Sequence, residues 1–241
     1  GDGTDFGDCI PGVKGKSDTW HGNNVAGVIG MGITNNTEGI AGVNWEVKVL
    51  HVRVSGKCGS DDFDLYDAMK WSAGLPVPGA PLNPNPARII NISLGSIGLC
   101  EPLMQEAINE VVTKKGTSVV TSAGNNSGPA MFHTPSNCQN VITVAASDEQ
   151  GRLAPYSNFG SPVMIMAPGG DSKRDVDNDG MPDGVLTLNH PGQQDPNTSN
   201  IPVGYEFVRG TSLSAPHVSG VLALWLAVNP ALTHAELVKG L

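Results

Sequence analysis

The chain has 241 residues, enough for one large domain with a real core or for two small ones. With 39% apolar and only 15% charged residues it is not a disordered chain, and a net charge of −9 with a pI near 5.0 disfavours nucleic acid and anionic membrane as partners. Gly (31) and Pro (18) are abundant and aromatics are scarce at 5%, a profile of many turns around a core of small residues.

In chain order, HGNNVAGVIGMG (21–32) has small and apolar residues at helical spacing and begins at a His. VKVLHVRV (47–54) is β-branched and reads as a buried strand. DDFDLYDAMKWSAG (61–74) reads as an amphipathic helix with an acidic first turn and a Gly stop, followed by a Pro-rich loop over 75–87. RIINISLG (88–95) is a strand ending in Gly. PLMQEAINEVVTKKG (102–116) is a helix, acidic early, basic late and closed by Gly116. TSVVTSAGNNSG (117–128) is a strand running into a turn, NVITVAAS (140–147) another strand, and SPVMIMAPGG (161–170) a short one. The last long helix contains SLSAPHVSGVLALWLAV, with Pro216 expected in its first turn. Strands alternating with helices over short connections indicate an α/β fold with a mainly parallel sheet. One domain is expected, spanning 1–241, with a polar loop insertion at about 171–204.

Cys9, Cys58, Cys100 and Cys138 form no C-x-x-C pair, which argues against zinc or thioredoxin-like chemistry. Four widely spaced cysteines fit two disulfides in an oxidising compartment, or four buried thiols. No signal peptide is visible, and the most apolar run, VLALWLAV (221–228), is too short to span a bilayer. Both ends read as cut from a longer polypeptide.

Three residues invite chemistry. Ser212 in GTSLSAPHVSG stands at a helix start, where it serves either as an N-cap or as a nucleophile favoured by the positive end of the helix dipole. His21 heads its helix and is either a structural His or the base that such a nucleophile needs. Asn125 ends a strand at Ala-Gly-Asn and is either a turn residue or a side-chain donor to a developing oxyanion.

Taken together and in order, HGNNVAG, NISLG, SAGN and GTSLSAPHVSG resemble the signature blocks of the subtilisin-like serine proteases, over about residues 20 to 241. The resemblance implies a three-layer subtilisin-like fold and a secreted, extracellular, monomeric endopeptidase acting on proteins or peptides. It makes Ser212 the nucleophile, His21 the general base, and Asn125 with the Ser212 N–H the oxyanion hole. Ser93, Leu94 and Gly95 would pair with the substrate backbone, Ala123 and Gly124 would floor the pocket for the residue before the scissile bond, and Gly59 and Ser60 would form the other substrate edge. Within the family the nearest resemblance is to secreted bacterial enzymes of the Dichelobacter basic-protease type, carried by VRV-x-GKCG, the cysteine in P-S-N-C and the insertion before the GTS block. That resemblance implies the pairs Cys9–Cys58 and Cys100–Cys138.

Two positions depart from the family pattern. No D-(S/T)-G motif occurs in the twenty residues before His21, so the Asp that orients the His is expected in a segment absent from this chain, leaving the chain incomplete or inactive alone. A separate N-terminal segment or propeptide is then an expected partner. Asn23-Asn24 stands where the family often has Thr-His. The insertion adds a third feature: in DVDNDGMPDG, Asp175, Asp177, Asp179 and Asp183, with the Met181 carbonyl, are the donors expected for a structural Ca²⁺, against a solvated acidic turn. Competing classes are a non-catalytic subtilase-fold module binding peptides by strand addition and an α/β-hydrolase esterase. The esterase lacks a G-x-S-x-G motif, and its His would follow the Ser. A sedolisin-like acid peptidase would use Glu and Asp in place of the His.

Overall fold

The computed structural model describes residues 20–30, 39–56, 59–190 and 204–241. Helix α1 (His21–Ile29) starts at the His, as its small-residue spacing implies. The run over 47–54 does not form the expected buried strand. Val47, Val49, Val52 and Val54 are half-buried while Lys48, Leu50, His51 and Arg53 are exposed, and pairing begins only at β1 (Ser55–Gly56) with β2 (Gly59–Ser60). The valine pairs 47/49 and 52/54 are of opposite parity, so no single face is buried; a strand also needs a neighbour for its N–H and C=O groups, and no described strand lies beside this run.

Helix α2 (Asp62–Ser72) is capped by Asp61, whose side chain accepts from the Phe63 N–H at 2.8 Å, and carries Asp62 and Asp64 in its first turn. After β3 (Ile89–Ile92) and the short β4 (Ser96–Ile97), α3 (Pro102–Lys115) begins on a proline and ends at Gly116, whose φ of 66° suits a residue without Cβ. The remaining elements are β5 (Ser118–Ser122), β6 (His133–Thr134), β7 (Val141–Ser147), β8 (Ile165–Pro168), β9 (Val185–Asn189), β10 (Gly204–Val208), α4 (Thr211–Val228) and α5 (His234–Gly240).

Strands β3, β5, β7 and β8 form one parallel sheet in the order β3-β5-β7-β8. Successive residues of these strands face opposite layers, which explains their near-continuous apolar character. Ile92, Val119 and Val141 pack with Met69, Ile108 and Val111 of α2 and α3, while Val120, Ile142 and Val144 pack with Ala215, Val218 and Leu222 of α4 and Leu237 of α5. Burial of each large side chain such as Ile108 or Leu222 contributes roughly 1.5–3 kcal/mol. The result is the expected three-layer α/β fold. By length and composition α4 could cross a membrane, but half of it is buried, and it is the core helix of this layer.

The segment expected as an insertion supplies β9, which pairs antiparallel with β10 just after it, Val185 facing Val208 and Asn189 facing Gly204. The hairpin lies on α1, and α1 in turn lies on α4.

Candidate active site

The GTS block is built by a helix start anchored from two sides. Gly210, at φ 146°, is the N-cap, so Ser212 is the second helical residue and not the cap that its position in the motif implied. Thr211 supplies the anchor: its N–H and its hydroxyl donate to Asn125 Oδ1 at 2.8 and 2.9 Å, and its hydroxyl accepts from the Gly124 N–H at 3.1 Å. Ser212 follows with its N–H in the first turn, where no helical carbonyl can accept it. The residue is half-buried, and its Oγ donates to the Ser93 carbonyl at 3.1 Å.

Pro216 is the sixth helical residue, one turn later than expected. Having no N–H, it cannot bond to the carbonyl of Ser212 four residues earlier. The Ser93 hydroxyl fills that vacancy, donating to the Ser212 carbonyl at 2.7 Å. Ser93 and Ser212 are therefore joined twice, by side chain to backbone in each direction. His217, next in sequence, donates Nδ1–H to the Leu213 carbonyl at 2.7 Å and faces away from this bond pair, toward the pocket under the insertion.

The same contacts fix the orientation of Asn125. Because Oδ1 accepts two donors from Thr211, the exposed Nδ2 is the group left to donate, and it has no acceptor among the described residues. The strand end before it turns at Gly124, φ 100°, and is braced by Asn158. Asn158 Nδ2 donates to the Ala123 carbonyl at 2.9 Å, and its Oδ1 accepts from the N–H groups of Asn126 (2.9 Å) and Gly128 (3.2 Å). Asn158 carries no sequence signal for this role, since its partners lie thirty or more residues away.

His21 opens α1, whose N-cap Trp20 adopts a left-handed backbone at φ 48°. The residue keeps an exposed edge, yet the packing around its ring lowers its pKa below the ordinary 6.5 by desolvation. No hydrogen bond joins it to Ser212, and no carboxylate pairs with it among the described residues. The packing of α1 on α4 brings the two helices together. Of the other expected substrate residues, Ser93, Leu94 and Gly95 follow β3, and Ala123 and Gly124 follow its neighbour β5. Gly59 and Ser60 form β2, laddered with Gly56 and Ser55. Cys100 and Cys138 are bridged, with Cα atoms 5.1 Å apart, tying the start of α3 to the loop before β7. Cys9 and Cys58 lie outside the described residues.

The departure at Asn23-Asn24 has a structural counterpart. Asn24, 5% exposed, donates Nδ2–H to the Leu188 carbonyl at 2.7 Å, and its own carbonyl accepts from the Thr187 hydroxyl at 2.6 Å. Both partners lie on β9, so Asn24 fastens the insertion hairpin to the helix that begins with His21. Gly27 makes the approach possible: a Cβ there would lie 2.6 Å from Thr187 Oγ1. Just after β9, His190 packs its ring on Trp20 with centroids 4.5 Å apart.

The root of the insertion is held by Asp171, which is buried and paired with Arg209 (2.6 Å) and Arg174 (3.2 Å). At the tip, Asp175, Asp177 and Asp179 converge, and Asp177 and Asp183 converge with Glu149, a residue not expected from the motif. Much of their capacity is committed to the loop itself. Asp175 accepts from the N–H groups of Asp179 and Gly180, Asp179 from Met181, and Asp183 from Val176. A hydrogen bond to Asp183, with the neighbouring negative charges, raises the Glu149 pKa.

A parallel α/β sheet with a serine at the start of its core helix, and an amide side chain turned out beside it, places the chain among the subtilisin-like proteins. The model of the subtilase family, peptidase S8, matches residues 6–241, and the chain belongs to that family. It is 42% identical over 229 residues to an extracellular protease of Xanthomonas campestris pv. campestris, covering 95% of this chain and 36% of that protein. It is 40% identical over 245 residues to the extracellular basic protease of Dichelobacter nodosus, covering 98% of this chain and 38% of that protein. Among solved structures, a protease from Pseudoalteromonas arctica superposes with a TM-score of 0.84 at 41% identity, over 93% of this chain and 63% of that one. The chain thus spans less than two thirds of the length of each of these relatives.

Proposed function

We propose that the protein is a secreted serine endopeptidase that cleaves proteins by acyl transfer. The observation that carries this reading is the Thr211–Asn125 pair, which leaves two unpaired donors, Asn125 Nδ2 and the Ser212 N–H, beside a half-buried Ser212 Oγ. In the reaction Ser212 Oγ leaves the Ser93 carbonyl and attacks the scissile carbonyl as its proton passes to His21. The oxyanion is received by the two free donors, and collapse expels the amine, which takes the proton from His21. Water, activated by the same imidazole, then releases the acyl group. Ser93–Gly95 and Gly59–Ser60 flank the substrate backbone, and Ala123–Gly124 with Ser93–Gly95 wall the pocket for the residue before the cut. The carboxylate that would orient His21 is not supplied by any described residue. Secretion is supported by the Cys100–Cys138 bridge and by relatives named as extracellular.

The acidic loop fits a structural Ca²⁺. Its donors are all hard oxygens, and the Asp177, Asp183 and Glu149 carboxylates converge within 4.8 Å, a grouping that repels itself without a cation. When bound, the ion would neutralise that charge and stiffen the segment leading into β9. Asp175 and Asp179, with the Met181 carbonyl, extend the same donor set.

The test is an intact mass of the protein after reaction with a fluorophosphonate. One adduct mapping to Ser212, absent from Ser212→Ala, is expected. No adduct on the folded protein, or an adduct elsewhere, overturns the reading.

A further inference from the structure

Residues 154–158, between β7 and β8, carry no motif, yet they reach both halves of the proposed oxyanion hole. The segment is anchored to β7: the Ala154 N–H donates to the Ala146 carbonyl at 2.8 Å, and Ser157 Oγ accepts from the Ala146 N–H at 3.0 Å. From that anchor Asn158 braces the Asn125 turn, and Tyr156 adds a second hold on it, its carbonyl accepting from the Ser127 N–H at 2.9 Å. The Tyr156 side chain reaches the start of α4. Its hydroxyl accepts from the Gly210 N–H at 3.0 Å and donates to the Gly170 carbonyl at 2.7 Å.

Gly210 needs such a hold. It is the N-cap of α4 at φ 146°, it has no side chain with which to cap the helix, and its backbone turns where that of another residue would be restricted. The Thr211–Asn125 bonds fix the two donors to each other, but they do not fix the pair to the sheet. Tyr156 does, because one residue is bonded both to the turn that carries Asn125 and to the residue two before Ser212. Its ring is fixed in turn: the Arg209 guanidinium lies 5.2 Å from the ring centroid and is paired with Asp171 at 2.6 Å. Burial, above all, pushes the phenol pKa up to about 12, so the hydroxyl keeps its proton at any ordinary assay pH.

We propose that Tyr156 is a positioning residue for the oxyanion hole, its carbonyl and its hydroxyl together setting the spacing of Asn125 Nδ2 and the Ser212 N–H. The proposal rests on the reading of those two groups as oxyanion donors. The full-length protein and its Tyr156→Phe variant are compared on one peptide anilide. In the variant the Gly210 N–H keeps the Gly169 carbonyl at 3.0 Å and the ring keeps its place beside Arg209, so the fold is expected to hold. Its kcat should fall about tenfold, short of the loss of about 10²–10³-fold when a donor is removed outright, with KM within about threefold. In an Asn125→Ala background the same change should cost less than about threefold, because one of the two donors it places is gone. Inhibition by a peptide boronic acid, whose adduct on Ser212 presents a charged oxygen to the donors, should weaken about tenfold, while a product peptide binds the Ser212→Ala forms with and without Tyr156→Phe equally. A purely structural tyrosine would lower the melting temperature and leave kcat and boronate inhibition alone. An unchanged kcat, an equal loss in both backgrounds, a loss confined to KM or unchanged boronate inhibition overturns the proposal. If Tyr156→Phe does not fold, Ser127→Ala decides: it removes the Ser127 Oγ bond to the Pro155 carbonyl at 2.7 Å and should lower kcat about threefold, and an unchanged value overturns the proposal. A wild type that takes no fluorophosphonate at Ser212 overturns the serine-peptidase reading and the proposal with it, whereas a labelled wild type with unchanged kcat in Tyr156→Phe overturns the placement alone.

Discussion

Replacing Asn24 by Ala should unfasten the insertion hairpin from the His21 helix. The substitution removes the 2.7 Å bond to the Leu188 carbonyl at a site where Asn24 is 5% exposed and Thr187 fully buried. The Leu188 acceptor is part-buried, and leaving it without its donor costs about 1–3 kcal/mol. Taking about 2 kcal/mol, and about 2–4 °C per kcal/mol for a domain of this size, the melting temperature should fall by about 4–8 °C. Thr187→Val removes the second bond of the same seam, to the Asn24 carbonyl, and should cost a similar amount. Because both bonds cross one contact, the double variant should lose less than the two single losses added, with a coupling of about 0.5–3 kcal/mol. Differential scanning calorimetry of the four proteins measures this cycle. A change of less than about 1 °C for Asn24→Ala would refute the argument that this residue carries the junction.

The remaining expectations concern the site and the conditions it tolerates. Asn125→Ala should lower kcat about 10²–10³-fold, the loss found when a subtilisin is deprived of its oxyanion amide, and should also destabilise α4 by freeing Thr211; Asn125→Asp keeps an acceptor for Thr211, so it should melt nearer to wild type while remaining as inactive. Ser93→Ala removes the donor that replaces the missing Pro216 N–H, and circular dichroism melts should show a loss of about 1–3 kcal/mol. Chelation of divalent ions should lower the melting temperature, and Glu149→Gln or Asp177→Asn should reduce the difference between calcium and chelator; an unchanged difference would remove both residues from the cation set. His21, His133, His217 and His234 all have pKa values lowered by desolvation from 6.5, so the unfolded chain binds more protons than the native one just below that pH. Their contribution to stability should be full above pH 6.5 and lost as the pH falls through their folded values, which denaturant titrations between pH 5 and 8 would read.

Helices α2 and α3 were legible because their signals are local: acidic first turns or an initial proline, basic last turns, and a glycine stop. The His21, Asn125 and Ser212 blocks were legible for a related reason, since each is a short run in which a helix start or strand end sets the position of one side chain. The run over 47–54 was misread from the same kind of signal. Its β-branched content is real, but a strand is completed by a neighbour, and local sequence does not say whether one is there. Pro216 shows a smaller version of this failure: its tolerance inside α4 depends on Ser93, more than a hundred residues away.

By itself the sequence determined the parallel α/β class, the order of the main-sheet strands and long helices, and the three residues offered for chemistry, because periodicity, caps and short motifs act over a few residues. Only the tertiary structure decided how Asn125 is turned, what holds Ser212, why Asn24 stands where it does, and that Glu149 joins Asp177 and Asp183 from another segment. Each of these is a contact between residues far apart in the chain, made when hydrogen-bond donors and acceptors buried by packing must find partners wherever the fold brings them.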